Sequence, residues 1–286
     1  MTLGICTIQR DRGPWVEEWV AFHHLVGFRK FYFFAHRCRD DTLDVLRRLQ
    51  RRFDLQAFVL GDETDRPQLH AYQHAYARFG HEVDWMAFID ADEFLFPTAG
   101  DDIAPVLDAY RKADLSALGV YWLCFGSSGH LTEPPGLITE NYLRRAPDDF
   151  PPNHHVKSIV RGGLGEALRV SPSSHVFNTP RGTFDELHRP ITAGYMPQLT
   201  PSHRHLRINH YVCQSYAFFK NFKQRSGAPD AGRDMVRPDS WWEGHDRNDL
   251  IDPGIGRFIP ALKDRLAELR SPVKSRVSVV YPALRL

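Results

Sequence analysis

The chain of 286 residues lacks the features of several protein classes at once. Its four cysteines, Cys6, Cys38, Cys124 and Cys213, are scattered with no C-x-x-C pair, which argues against a zinc ribbon and against a disulfide framework. A reducing compartment, the cytoplasm, is the expectation. No run of about 18 apolar residues occurs, the length that a membrane-crossing helix needs. Met1 leads almost at once into a strand-like segment without the basic, apolar and cleavage regions of a signal peptide, so none is expected. An excess of one charge is also missing: 36 Lys and Arg face 35 Asp and Glu. No global field recruits nucleic acid or holds the chain on an anionic membrane, which leaves open only a transient membrane contact. Anions must therefore be bound locally. No internal repeat or low-complexity stretch is present.

What is present is a globular core. The hydrophobic content of 42% supports a large α/β domain and excludes disorder. Leu3 to Ile8 is a β-rich apolar run. Pro14 follows a polar loop and opens a helix whose Trp15, Trp19, Phe22 and Val26 recur at helical spacing up to Gly27. Phe31 to Ala35 reads as a second strand, with Asp40-Asp41-Thr42 capping a helix through about Arg52. Leu55 to Leu60 is a third strand and Gln68 to Phe79 a helix. Strand and helix in alternation predict parallel βαβ units. Further on, Ile103 to Tyr110 reads as a helix, Ala117 to Phe125 and Val156 to Arg161 as strands, and Ile259 to Leu269 as a closing helix. Pro134 to Asn153, rich in Pro, Asp and Arg, reads as a long surface segment.

The chain is organised around DWMAFIDADEFLFP, Asp84 to Pro97. The apolar run Met86 to Ile89 reads as a buried strand, and Asp90, Asp92 and Glu93 follow it directly. Two carboxylates one residue apart lie on the same side of an extended chain, at a strand end, where α/β folds hold ligands. Hard oxygen donors there suit Mg²⁺ or Mn²⁺. A solvated acidic turn is the plainer reading. His70 and His74, four apart on one helix face, read as a polar face, because no H-E-x-x-H carboxylate accompanies them.

DADEF after an apolar strand resembles the D-x-D motif of nucleotide-sugar glycosyltransferases of the A-type (GT-A) fold, above all the family 2-like and family 92-like proteins. Further motifs carry the likeness. Glu18-Trp19 with Phe22-His23 and Leu25 to Gly27 is similar to the family's "EW…H..LG" helix, and Asp40-Asp41-Thr42 to its "S-x-D-x-T" turn. Val156 to Arg161 resembles "K-S-I-v-R", and Ser174 to Phe177 its short His-containing strand. Ile208-Asn209-His210-Tyr211 through Ser215, Phe219, Lys223, Arg225 and Gly227 resembles "inHY…S..eF..K..rG", and Asp246-Arg247-Asn248 with Asp252 its terminal "D-x-N…D" element. Two departures stand out: Arg10-Asp11-Arg12 replaces the usual "K-N-E", and Cys38 replaces a Ser.

The resemblance implies a Rossmann-like α/β fold with a mostly parallel sheet flanked by helices. One domain is expected over 1–286, with a nucleotide-sugar and metal half over 1–125 and an acceptor half over 126–286. It also implies transfer of a sugar from a nucleotide-sugar, a UDP-sugar above all, to a hydroxyl of a carbohydrate acceptor, with inversion. The implied metal ligands are Asp90, Asp92 and His210, for Mn²⁺ or Mg²⁺. The implied donor contacts are Gln9, Asp11, Asp40, Lys157, Lys223 and Arg225. Asp40 reads equally as a helix cap, and Lys157 with Arg161 as cross-strand partners. For the base that takes the acceptor's proton, the candidates are Asp246, then Asp252 and Glu93. Trp241-Trp242 reads either as a sugar-stacking surface or as a core plug. Two competing readings are a non-catalytic sugar- or nucleotide-binding protein, favoured by the altered Arg10-Asp11-Arg12 loop, and a haloacid-dehalogenase-type phosphatase. The second fits poorly, because Phe94 stands where that motif wants Thr or Val and the D-x-D is not on the first strand.

Overall fold

The structure, a computed structural model, describes residues 1–165, 169–170, 173–225, 227 and 236–271. Its first half alternates strand and helix: β1 (Leu3–Gln9), α1 (Gly13–Leu25), β2 (Lys30–His36), α2 (Thr42–Leu49), β3 (Asp54–Leu60), α3 (Pro67–Phe79) and β4 (Trp85–Phe88). β1 pairs in parallel with β2 and with β4, and β2 with β3. All seven residues of β1 are buried, which requires both faces of the sheet to be covered. Trp19, Val20 and Phe22 of α1 pack with Phe31, Phe33 and Leu46 on one face. Tyr72, Tyr76 and Phe79 of α3 pack with Tyr32, Phe34 and Phe88 on the other. Each such fully buried aromatic contributes roughly 1.5–3 kcal/mol through the area it removes from water.

The second half inserts antiparallel strands. It runs β5 (Glu93–Pro97), α4 (Ala104–Ala109), β6 (Ala117–Cys124), α5 (Ile138–Asn141), β7 (Arg144–Arg145) and β8 (Val156–Arg161). Short strands follow: β9 (Arg169–Val170), β10 (Phe177–Asn178), β11 (Thr183–Phe184) and β12 (Pro190–Ile191). The chain then forms β13 (Leu206–His210), α6 (Tyr216–Asn221), α7 (Asp239–His245), β14 (Leu250–Ile251) and α8 (Ile259–Arg270). The main sheet has the order β12-β11-β6-β8-β4-β1-β2-β3. β8 runs antiparallel to both β4 and β6, so β6 is parallel to β4. β13 joins β6 in parallel and β5 antiparallel. The expected division near residue 125 therefore falls inside one continuous sheet.

Some expectations change. Pro134 to Asn153 is no loose surface segment, because Ile138, Thr139, Tyr142, Ala146 and Asn153 are buried. The carboxylate of Glu18 accepts the N–H groups of Ile138 and Thr139 and the Thr139 hydroxyl at 2.8–2.9 Å. Burial pushes that carboxyl up to about 7, against the three hydrogen bonds that pull it down. α2 stops at Leu49, short of Arg52, and of the segment from Ser174 only Phe177 and Asn178 are strand. Asp41 takes the N-cap position of α2 without a side-chain bond, and it is Asp40 Oδ1 that accepts the N–H of Thr42, the first residue of the helix, at 3.0 Å. Its Oδ2 also accepts the Gly13 N–H at the start of α1, 2.9 Å away.

Candidate active site

β1, β4, β6 and β13 point the same way, so Gln9, the Asp90–Asp92 loop, Cys124 and His210 meet at one rim of the sheet. This is the carboxyl edge, where open α/β sheets bind ligands. A cavity of about 460 Å³ lies along it. One side is polar and cationic, from Gln9, Arg10, Arg12, His36 and Arg37. The other is aromatic, from Trp122, His155, Trp241 and His245, with the Arg237 guanidinium 5.4 Å from the Trp241 ring. Asp90, Asp92, His210 and Lys223 stand between the two.

Asp92 is 3% exposed and surrounded by positive charge. Its carboxylate meets Lys223 Nζ at 2.6 Å, Arg12 Nη2 at 3.6 Å and His210 Nε2 at 3.7 Å. Burial alone would raise its pKa, but Lys223, His210 and Arg12 hold it well below the usual carboxylate range. Burial also pushes the His210 imidazole down. A neutral imidazole keeps a lone pair for a ligand. Asp90 is held differently. Its Oδ2 pairs with Lys157 Nζ at 2.9 Å, while Gln68 and the Tyr72 hydroxyl reach Oδ1. Burial opposes ionisation of Asp90 and Lys157 favours it, leaving the pKa lowered. Behind both lies Glu93, fully buried, which accepts the Asp90 N–H at 3.0 Å. Burial holds its carboxyl well above the usual range despite Lys157.

Two of the three expected metal ligands suit a divalent ion. Asp92 Oδ1 and His210 Nε2, 3.7 Å apart, span two ligands each about 2.1 Å from one centre. The third, Asp90, lines the cavity and pairs with Lys157, as Asp92 pairs with Lys223. Among the described residues, three His, Cys or carboxylate ligand atoms lie within 4.8 Å of one another only at Asp11, Cys38 and Asp40. There the carboxylates already serve the backbone: Asp11 accepts the Arg39 and Asp40 N–H groups, and Asp40 those of Gly13 and Thr42.

The remaining expected residues divide sharply. Gln9 and Lys223 line the cavity; Asp11, Asp40, Lys157 and the exposed Arg225 do not. Lys157 has no solvent exposure and lies between Asp90 and Glu93. None of the three expected bases reaches the cavity. Asp246 Oδ1 accepts the Ser127 N–H at 2.6 Å and the Asn248 amide at 2.9 Å, and its Oδ2 accepts the Ser127 hydroxyl. Asp252 is clamped by Arg145 and Arg207, each at 2.8 Å, and takes the Gly254 N–H. Glu93 is sealed in the core. The reading of the sequence missed Arg12 as a partner of Asp92, and it missed the ring wall of Trp122, His155 and His245. The substituted Arg10-Asp11-Arg12 loop was the available signal for Arg12, and the His154-His155 pair ahead of β8 for part of the wall.

An α/β sheet with an acidic loop and a bank of cations at its carboxyl rim puts the chain in the class of α/β proteins whose ligand sites lie at that edge. Within that class, the model of the family described as glycosyltransferase family 92 matches residues 1–226, and the chain belongs to this family. A family 92 protein of Oryza sativa subsp. japonica is 25% identical over 259 residues, covering 83% of this chain and 41% of the relative. One of Ricinus communis is 25% identical over 258 residues, covering 83% and 43%. The chain thus spans about two-fifths of the length of these relatives. Among solved structures, S. aureus TarS 1-349 in complex with UDP-GlcNAc aligns at 12% identity with a TM-score of 0.41, over 93% of this chain and 72% of that one. HddC from Yersinia pseudotuberculosis aligns at 12% identity with a TM-score of 0.33, over 57% and 70%.

Proposed function

We propose that the chain is a glycosyltransferase that moves a sugar from a nucleotide-sugar, a UDP-sugar, to a hydroxyl of a carbohydrate acceptor with inversion. Family membership supports the reaction class. The observation that carries the site is Asp92, buried at the sheet rim and faced by Lys223, Arg12 and His210. Lys223 and Arg12 supply fixed positive charge where a departing diphosphate gains negative charge, the arrangement that lowers such a barrier most. Gln9 presents a buried Oε1 without a hydrogen-bond partner among the described residues, a fit for a nucleobase N–H. A divalent ion, Mn²⁺ or Mg²⁺, held by Asp92 and His210 would offset charge on the donor's phosphates. Asp90 then acts by position, fixed by Lys157 so that the loop presents Asp92 to the cavity.

The test is UDP release from a panel of UDP-sugars, with and without Mn²⁺. Slow hydrolysis that disappears in Asp92→Ala supports the transferase. UDP binding without any turnover for every donor would instead favour the non-catalytic reading.

A further inference from the structure

The turn that carries Lys223 is held from behind by a residue outside the 1–226 that the family model matches. Lys223 opens a short 3₁₀ turn, Lys223–Arg225, in which no residue is buried. Such a turn has little stability of its own, yet its lysine keeps an ammonium 2.6 Å from the buried Asp92 carboxylate. The restraint comes from Arg237. Its Nη1 donates to the Lys223 carbonyl at 2.8 Å and its Nη2 to the Gly227 carbonyl at 2.9 Å. Its backbone N–H donates to the Gln224 carbonyl at 2.9 Å. One residue thus takes three carbonyls of the segment, two of them through a rigid planar fork. The fork is braced in turn: its centre lies 5.4 Å from the ring of Trp241 in α7, a ring packed between His245 and Phe219. Asp239, the first residue of α7, adds a second tie by accepting the Gln224 amide and the Lys220 ammonium, each at 2.8 Å.

The Arg237 guanidinium also lines the cavity, where burial pulls its pKa down and the charge of Asp92 opposes that. Direct contact with a phosphate is therefore the competing role, and it would draw on nitrogens that already serve two carbonyls. We propose that Arg237 is a positioning residue: by bridging the Lys223 and Gly227 carbonyls it fixes the turn, so that the Lys223 ammonium stays at Asp92 to meet the diphosphate of a nucleotide donor. The donor contact rests on the transferase reading, but the tether does not.

UDP titration of Arg237→Ala, Arg237→Lys, Lys223→Ala and the pair Arg237→Ala with Lys223→Ala measures the coupling, and hydrogen exchange over Lys223–Arg225 reports the turn without nucleotide. Arg237→Ala should weaken UDP binding roughly tenfold, the scale of one lost hydrogen-bonded anchor. Arg237→Lys should lose nearly as much, since an ammonium keeps the charge but does not span two carbonyls. Adding Arg237→Ala to Lys223→Ala should weaken binding almost no further, the non-additivity of residues that act through one another. Exchange over the turn should quicken roughly tenfold in both Arg237 variants. Additive losses in the pair, or wild-type affinity in Arg237→Lys, would overturn the proposal in favour of a charge acting directly on the phosphates. Unchanged exchange or unchanged UDP affinity in Arg237→Ala would overturn the tether itself. Should Arg237→Ala not fold, Arg237→Lys with and without Lys223→Ala decides in the same way. A wild type that binds no UDP, with exchange still quickened in Arg237→Ala, would strike the donor contact and the transferase reading and leave the tether standing.

Discussion

The two sides of the cavity are made by opposite means. On the cationic side, charges answer charges: Arg12 and Lys223 reach Asp92, and Lys157 behind it reaches Asp90. On the aromatic side, rings support rings, from Trp122 on His155 to Trp241 on His245, and the one guanidinium there, Arg237, lies over the Trp241 ring. The first side is held by interactions that an anionic ligand must exchange, whereas the second is held mainly by packing. Salt should therefore act more on the first side than on the second.

The sharpest break of that comparison is Asp92→Ala, expected to lower UDP release by roughly 10²–10³-fold, the scale of losing a principal electrostatic group. Lys223→Ala comes next. Losing a charge-assisted contact to phosphate is worth about 1.5–3 kcal/mol, which predicts a donor KM raised about 10- to 100-fold in steady-state assays at unchanged acceptor KM. Asp252→Ala lies outside both sides. It leaves Arg207 without its carboxylate and Arg145 with Asp148 alone, so thermal melting should show a loss of about 1–3 kcal/mol while kcat stays near wild type. A kcat collapse would return Asp252 to the chemistry. Raising salt from 0.05 to 0.5 M, concentrations about a fewfold apart in screening length, should weaken UDP binding in titrations.

The smallest effect is remote. Glu18, buried, titrates near 7 against 4.5 for a free carboxyl. A carboxyl raised in the folded state binds more protons there than in the unfolded chain, so its contribution is complete below about 4.5 and is lost as pH rises through 7. Melting temperatures of the wild type and Glu18→Gln, compared between pH 5 and 8, should diverge as the pH rises, the wild type losing more.

How much of this was legible in the sequence follows from range. β1 to β4 and the alternating helices were readable, because hydrophobic runs and Pro14 act locally. Asp92, His210 and Lys223 were found because motif order carries them, and their meeting follows from β13 joining the sheet beside β6. The hydrogen-bond partners of Asp246 and Asp252 were not readable, since Ser127 lies 119 residues from the first and Arg145 107 from the second. Trp122 was hidden for a different reason. It sits in ALGVYWLC, a strand without alternation, so its sequence cannot tell which side chain turns toward the cavity.

Lys157 has no solvent contact, while the Lys223 side chain retains 14%. Amine-directed reagents need a reachable, deprotonated nitrogen, so the first ammonium should stay unmodified in native protein while the second is labelled slowly. Covalent footprinting would then report a buried counterion behind the cleft and an accessible one in its lining, and an added nucleotide should shield only the latter.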